Sequence, residues 1–180
     1  MSHNTSLLLV LLLVYVSSSN SISKEVVEID VICQKASNPS YCSNILNSKP
    51  GGAKCVSLVD LADYIIDALI DNSTNTNMLI SRLIDQIGNN DTEINYYSKC
   101  KSNFIRVDGV IYKLIYASRD LTDMQYPAMV KGIDIVMEYV LECIDSLHQH
   151  KTSPLLANDV EVLRQGIQVL QIIAKYLNYG

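Results

Sequence analysis

The chain has 180 residues, of which 14 are Lys or Arg and 19 are Asp or Glu, so its formal net charge is -5. Hydrophobic residues make up 48% and charged residues 18%, which excludes a disordered polyampholyte and favours one packed domain over two. Seven Gly and four Pro are too few for a loop-rich β-sandwich. The acidic balance also disfavours nucleic acid as a partner.

An unbroken apolar run extends from Leu7 to Val16 and is followed by small polar residues. As a helix this run rises about 15 Å, half of a bilayer core of roughly 30 Å, so it is too short to span a membrane. An apolar first helix of the fold is the alternative, but the run has no polar face. We therefore predict a signal peptide over 1–22, with cleavage between Ser17 and Ser23, and a soluble, secreted protein with no membrane partner.

The next segment, 23–53, is predicted to be a small helical hairpin and a linker. Val26 to Lys35 can form a short helix, and Tyr41 to Leu46 can form another turn or two. Asn38-Pro39-Ser40 between them reverses the chain, and Pro50-Gly51-Gly52 ends the segment.

From Leu58 onward apolar residues recur with a period of 3.6, which predicts an all-α fold with a four-helix bundle over 54–180. The predicted helices cover about 58–87, 92–118, 127–147 and 156–177. Short connections imply antiparallel neighbours in an up-down-up-down order. The buried stripe predicted for the second helix consists of Tyr97, Cys100, Phe104, Val107, Ile111 and Leu114.

Five cysteines in a secreted chain should mostly form disulfides. Cys33 and Cys42 flank the hairpin turn, so we expect them to pair. Cys100 and Cys143 lie on inward stripes and are equidistant from the connection at 119–125, which places them at the same height on antiparallel helices. Cys55 is then left over; a free, partly buried thiol in a monomer is favoured over a disulfide-linked dimer. The fold predicted is therefore a disulfide-stapled bundle.

No catalytic, cofactor-binding or metal motif is present in the sequence, so we expect a protein that is not an enzyme and has no cofactor. Asn72 and Asn90 each begin an N-glycosylation acceptor, Asn72-Ser73-Thr74 and Asn90-Asp91-Thr92. Both acceptors lie in polar stretches, as a glycan requires.

Several segments resemble the plant invertase and pectin methylesterase inhibitors over essentially the whole mature chain. Asn38-Pro39-Ser40-Tyr41-Cys42 is similar to the turn between the first two cysteines of that family, and Tyr97-Ser98-Lys99-Cys100 to its third cysteine box. Ser153-Pro154-Leu155 resembles the start of its last helix. Pro127-Ala128-Met129 lacks the Lys and Phe of the invertase inhibitors, which favours the pectin methylesterase inhibitors.

The resemblance implies a non-catalytic apoplastic protein that blocks a cell-wall pectin methylesterase in a non-covalent one-to-one complex. It also implies disulfides Cys33–Cys42 and Cys100–Cys143. The outward faces of the second and third helices are the implied contact surface, with Asp108, Tyr112, Lys113, Asp134 and Glu138 as candidate partner-binding residues. Two alternatives stay open: an inhibitor of cell-wall or vacuolar acid invertase, and a secreted helical binding protein without inhibitory activity.

Overall fold

The structure is a computed structural model that describes residues 28–52, 56–87, 91–148 and 152–179. All regular elements within these ranges are helices. The predicted signal peptide over 1–22 lies outside them. The helices are α1 (Ile29–Cys33), α2 (Pro39–Asn47), α3 (Leu58–Ile87), α4 (Asp91–Ile105), α5 (Val110–Thr122), α6 (Tyr126–His148) and α7 (Pro154–Tyr179).

The five longer helices enclose one core. α3 packs against α7, α4 and α5, and α6 packs against the same three helices from the other side. Helices α4 and α5 together take one position of the bundle, so the predicted all-α four-helix arrangement with an N-terminal hairpin is confirmed. The apolar stripe of α6 is buried at every position, namely Met129, Ile133, Val136, Val140, Cys143 and Leu147.

Two disulfides hold this fold together. Cys33 and Cys42 are joined inside the hairpin with their Cα atoms 5.4 Å apart, and Cys100 and Cys143 join α4 to α6 with their Cα atoms 4.7 Å apart. All four cysteines are buried. The predicted free thiol, Cys55, lies outside the described residues.

The continuous second helix predicted over 92–118 is wrong, because the chain leaves the helix between Ile105 and Val110. A Cβ atom on Gly109 would lie 2.6 Å from the carbonyl oxygen of Asn103 and 3.0 Å from that of Arg106. Only glycine permits this approach, which lets α5 begin directly beside the end of α4.

The break also shifts the buried register. The stripe runs through Tyr97, Cys100 and Phe104 as predicted, but it resumes at Val110 and Leu114. Val107, predicted to be buried, is 78% exposed. A 3.6-residue period cannot be extended across a segment that is not helical.

We expect Gly109→Ala to lower the free energy of unfolding by about 1–3 kcal/mol, because the new methyl group would overlap backbone atoms that cannot move away easily. Gly132→Ala in α6 is the matched control, since its new Cβ atom meets nothing within 4 Å. That change should raise the free energy of unfolding by about 0.5–1 kcal/mol through helix propensity. Urea denaturation of both variants measures the two effects; destabilisation of similar size in both would contradict the steric explanation.

The N-terminal hairpin packs mainly on α7. Asn38 accepts a hydrogen bond from the Tyr41 amide at 3.1 Å, which caps α2, and donates one from Nδ2 to Gln165 Oε1 at 3.0 Å. The amide and hydroxyl of Ser37 both donate to Gln168 Oε1, at 2.9 and 2.6 Å. The turn at 37–38 is therefore fastened to two glutamines one turn apart on α7.

Close packing supports these polar contacts. A Cβ atom on Gly166 would lie 2.8 Å from Leu69 Cδ2 and 3.1 Å from the Tyr41 hydroxyl oxygen. Because Gly166 has no side chain, α2 and α3 can both approach α7 closely at this point. Burial raises the pKa of Tyr41, so its hydroxyl stays protonated in this contact.

Glu161 orders the side chains beside this contact. Its carboxylate accepts hydrogen bonds from Arg164 Nε at 2.8 Å, Arg164 Nη2 at 2.7 Å and Gln165 Nε2 at 3.0 Å. The bond from Arg164 is the main reason that the pKa of Glu161 is lowered. Gln165 in turn accepts from Asn38, so this network connects α7 to the hairpin.

A carboxyl whose pKa is lowered on folding stabilises the folded state at any pH above its pKa in the unfolded chain. This contribution is lost as the pH falls through the lower pKa of the folded state. We expect Glu161→Gln to lower the free energy of unfolding at neutral pH by less than about 1 kcal/mol, because the side chain is 43% exposed. The difference from the original protein should disappear in acid. Denaturation at neutral pH and at about pH 3 measures it. Glu138→Gln, at an exposed site without these hydrogen bonds, is the control, and an equal pH dependence there would contradict the assignment to Glu161.

Candidate interaction surface

The outer side of α5 carries exposed apolar and aromatic residues. Tyr112, Ile115 and Tyr116 are 43%, 45% and 45% exposed, and Val107 lies just before the helix. Their i, i+3, i+4 spacing puts the three helical residues on one side, opposite the buried Val110. We call Val107, Tyr112, Ile115 and Tyr116 the α5 face. Tyrosine combines an apolar ring with a polar hydroxyl, which suits a surface that is exposed to solvent in the free protein and buried in a complex.

A cluster of three side chains fixes the start of this face. The Arg106 guanidinium lies over the Tyr139 ring, 3.9 Å from its centroid, and its Nε is 3.1 Å from Asp108 Oδ1. The Tyr139 hydroxyl donates to Asp108 Oδ2 at 3.3 Å. Interaction with Tyr139 and the nearby charge of Asp108 raise the pKa of Arg106. The non-helical link between α4 and α5 is thereby tied to α6.

A second contact reinforces this link from inside. Asn103, which is 4% exposed, donates from Nδ2 to the Tyr139 carbonyl oxygen at 3.2 Å and to Glu142 Oε2 at 3.0 Å. Its amide therefore bridges the last turn of α4 to α6. Together with the Cys100–Cys143 disulfide, this contact sets the position of the link before any partner arrives.

The structure divides the five candidate partner-binding residues into two groups. Asp108 lies at the start of the α5 face and is 61% exposed, Tyr112 belongs to the face, and Lys113 beside it is half-buried. Asp134 accepts a hydrogen bond from Gln171 Nε2 of α7 at 2.7 Å, and Glu138 follows one turn later on α6. These two acidic residues therefore lie toward the α7 side of α6, whereas Tyr139 reaches the α5 side.

Sequence reasoning missed Arg106, Ile115, Tyr116 and Tyr139 as surface residues. Arg106 lies in the non-helical link between α4 and α5, and Ile115 and Tyr116 lie on the outer side of α5. Tyr139 belongs to α6, but its ring and hydroxyl contact Arg106 and Asp108 in the link. A polar Arg-Val-Asp-Gly segment inside an apolar pattern was the available signal for a break in the helix.

One of the two predicted glycosylation sites lies within the described residues and the other does not. Asn72 is half-buried in the middle of α3, beside a groove that also contains Asp159 and Val162 of α7. Asn90 lies outside the described residues. Glycan attachment at either site stays a prediction.

In the part of the chain that the structure describes, no group of three or more His, Cys, Asp or Glu side chains could hold a metal ion. Of the helices described, none has both the length and the apolar character needed to cross a bilayer.

Known structures show what this arrangement is similar to. A mutant form of a pectin methylesterase inhibitor from Arabidopsis superposes with a TM-score of 0.73 at 21% identity, covering 83% of this chain and 97% of the other. A pectin methylesterase inhibitor from Arabidopsis thaliana superposes with a TM-score of 0.62 at 20% identity, covering 82% and 93%. The chain has the fold of these inhibitors. No protein-family model and no curated protein sequence matches it.

Proposed function

We propose that the protein belongs to the plant invertase and pectin methylesterase inhibitor family. We further propose that it is a secreted, apoplastic inhibitor that binds a pectin methylesterase in a non-covalent one-to-one complex. The observation that carries the proposal is the shared fold, which extends over 97% and 93% of the two solved inhibitors. The sequence resemblance in the cysteine boxes supports it independently.

The geometry of the α5 face suits an inhibitor that docks as a rigid body. Its helix is fixed to α6 through Arg106, Asp108 and Tyr139, and α4 is fixed to α6 by a disulfide. A surface that is already ordered loses little conformational entropy on binding, so more of its contact energy appears as affinity. Two exposed tyrosines at its centre are residues of the type that dominates binding energy in interfaces.

The charge of the chain supports the same target class. An enzyme that acts on an acidic polymer must present a cleft that attracts negative charge, and this chain has a formal net charge of -5. Complementary charge increases the association rate and disfavours wrong partners.

The decisive experiment is an inhibition assay with the purified protein against a plant pectin methylesterase and, in parallel, a plant acid invertase. We expect slower demethylesterification of pectin and no change in sucrose hydrolysis, and we expect a complex of one inhibitor and one enzyme by light scattering. Inhibition of the invertase alone would move the target to the other branch of the family. No inhibition of either enzyme would overturn the proposed function.

We expect Tyr112→Ala combined with Tyr116→Ala to raise the inhibition constant at least about tenfold, because both rings would be buried in the complex. Met78→Ala in α3 is the matched control, since Met78 is 44% exposed and lies on a different helix. The inhibition constant of that variant should be unchanged. Equal inhibition by the double variant and the original protein would remove the α5 face from the interface.

A further inference from the structure

A second surface lies away from the α5 face, where α7 passes the hairpin. Lys35, Ile172, Lys175, Tyr176 and Tyr179 line an open groove of about 520 Å³. This volume is within the range of known small-ligand sites. Among the described residues α5 and α7 make no contact, so the groove and the α5 face lie on different sides of the bundle.

The groove combines two cations with two aromatic rings. Lys35 Nζ lies 4.5 Å from the centroid of the Tyr176 ring, so the ammonium group is held at the groove. Tyr179 is 83% exposed and offers an uncovered ring. Neither Lys35 nor Lys175 is within ion-pair distance of a described carboxylate, which leaves both charges available to a ligand.

The two chain segments that meet at the groove are positively charged, whereas the rest of the protein is negatively charged. The segments 31–52 and 162–179 contain no Asp or Glu, and they carry Lys35, Lys49, Arg164 and Lys175. The remaining residues hold ten cations and all 19 acidic residues. Both segments meet where the hairpin packs on α7. Asp30, which lies within α1, lines another groove that shares no residue with this one.

We propose that this groove binds an anionic oligosaccharide whose sugar rings carry carboxylates, that is, a uronate chain. The exposed Tyr179 ring provides a flat apolar surface for the C–H face of a pyranose ring, and the ammonium groups of Lys35 and Lys175 neutralise the carboxylates. A neutral sugar would leave the two cations without partners, and a small inorganic anion would leave the Tyr179 ring uncovered. The site goes beyond the proposed function, because binding a free saccharide requires no enzyme.

Calorimetric titration with a short oligogalacturonate tests this assignment. The same oligosaccharide with its carboxylates methyl-esterified is the matched probe, since it keeps the sugar faces and removes the charge. We expect the free acid to bind more tightly than the ester, and we expect its affinity to fall as salt is added. Equal affinity for both probes, or no binding of the free acid, would overturn the proposal.

Variants locate the site. Lys35→Gln combined with Lys175→Gln should weaken binding of the free acid by roughly fivefold to tenfold, as expected for two exposed charge pairs. Tyr179→Ser should weaken binding of both probes, because it removes a stacking surface without touching the core. Lys99→Gln, at an exposed position on α4, should leave binding unchanged. Full binding by the double lysine variant would overturn the assignment to this groove.

Two further measurements separate this site from its alternatives. Anionic lipid vesicles that bind more tightly than the oligogalacturonate, with the same loss in the double lysine variant, would overturn the saccharide assignment in favour of a membrane surface. Inhibition of pectin methylesterase by the double lysine variant should equal that of the original protein. A parallel loss of inhibition would overturn the independence of the groove, whereas a protein that inhibits no enzyme can still pass the saccharide test.

Discussion

Replacing Cys100 and Cys143 with alanine is expected to lower the free energy of unfolding by about 4 kcal/mol. The disulfide closes a loop of 43 residues, and chain-entropy models give this value for a loop of that length. The two cysteines are 0% and 1% exposed, so alanine keeps their positions apolar and leaves no polar group unsatisfied. The loss should extend to inhibition, because the disulfide joins α4 to α6 next to the link that starts the α5 face.

The hairpin disulfide provides the control for this experiment. Replacing Cys33 and Cys42 with alanine opens a loop of only 9 residues, for which the same model gives about 2.5 kcal/mol. Inhibition by this variant should be unchanged at temperatures where the bundle stays folded. Denaturant titration of both double variants measures the stability difference, and a larger loss in the hairpin variant would contradict the loop-length explanation.

Phe104→Ala is expected to lower the free energy of unfolding by about 3–5 kcal/mol. Phe104 is the single phenylalanine of the chain and is 0% exposed in the last turn of α4. It is the last buried residue before the break, and the next one is Gly109. A cavity at this point would remove buried contacts next to the non-helical link between α4 and α5.

The neighbouring residue offers a control of the same type. Ile105 is 46% exposed, so Ile105→Ala should change the free energy of unfolding by about 0.5 kcal/mol or less. Thermal denaturation of the two variants distinguishes burial from helix propensity, since both changes replace a poorer helix former with alanine. A similar loss in both would indicate that the end of α4 is not part of the core.

The sequence predicted the bundle and its core well where one period persists. α6 has a single unbroken apolar stripe, and each of its positions is buried. The break at Gly109 was not predicted, because a polar segment with one glycine in an amphipathic pattern is also compatible with a continuous helix. Its role depends on the carbonyl oxygen of Asn103, 2.6 Å from where a Cβ atom would lie, and such a distance exists only after the chain has folded.

The candidate surface was predictable only where it depends on the helical period of one segment. Asp108 and Tyr112 were placed on the outward side of the second helix, and both are exposed. Asp134 was assigned to the same surface, but it lies on the α7 side of α6, where it accepts a hydrogen bond from Gln171, a residue 37 positions later. The groove between Lys35 and Tyr176 joins residues from opposite ends of the chain, so no local pattern indicates it.

The positions of the two disulfides have a mechanical consequence. One bond closes a ring within residues 33–42 and the other closes a ring within residues 100–143. The two rings share no atoms, and neither disulfide links the hairpin covalently to the bundle. A pulling force applied to the hairpin is therefore resisted by the peptide chain after Asn47 and by the contacts of Ser37, Asn38 and Tyr41 with α7. Under load the hairpin should detach as an intact unit while the bundle keeps its shape.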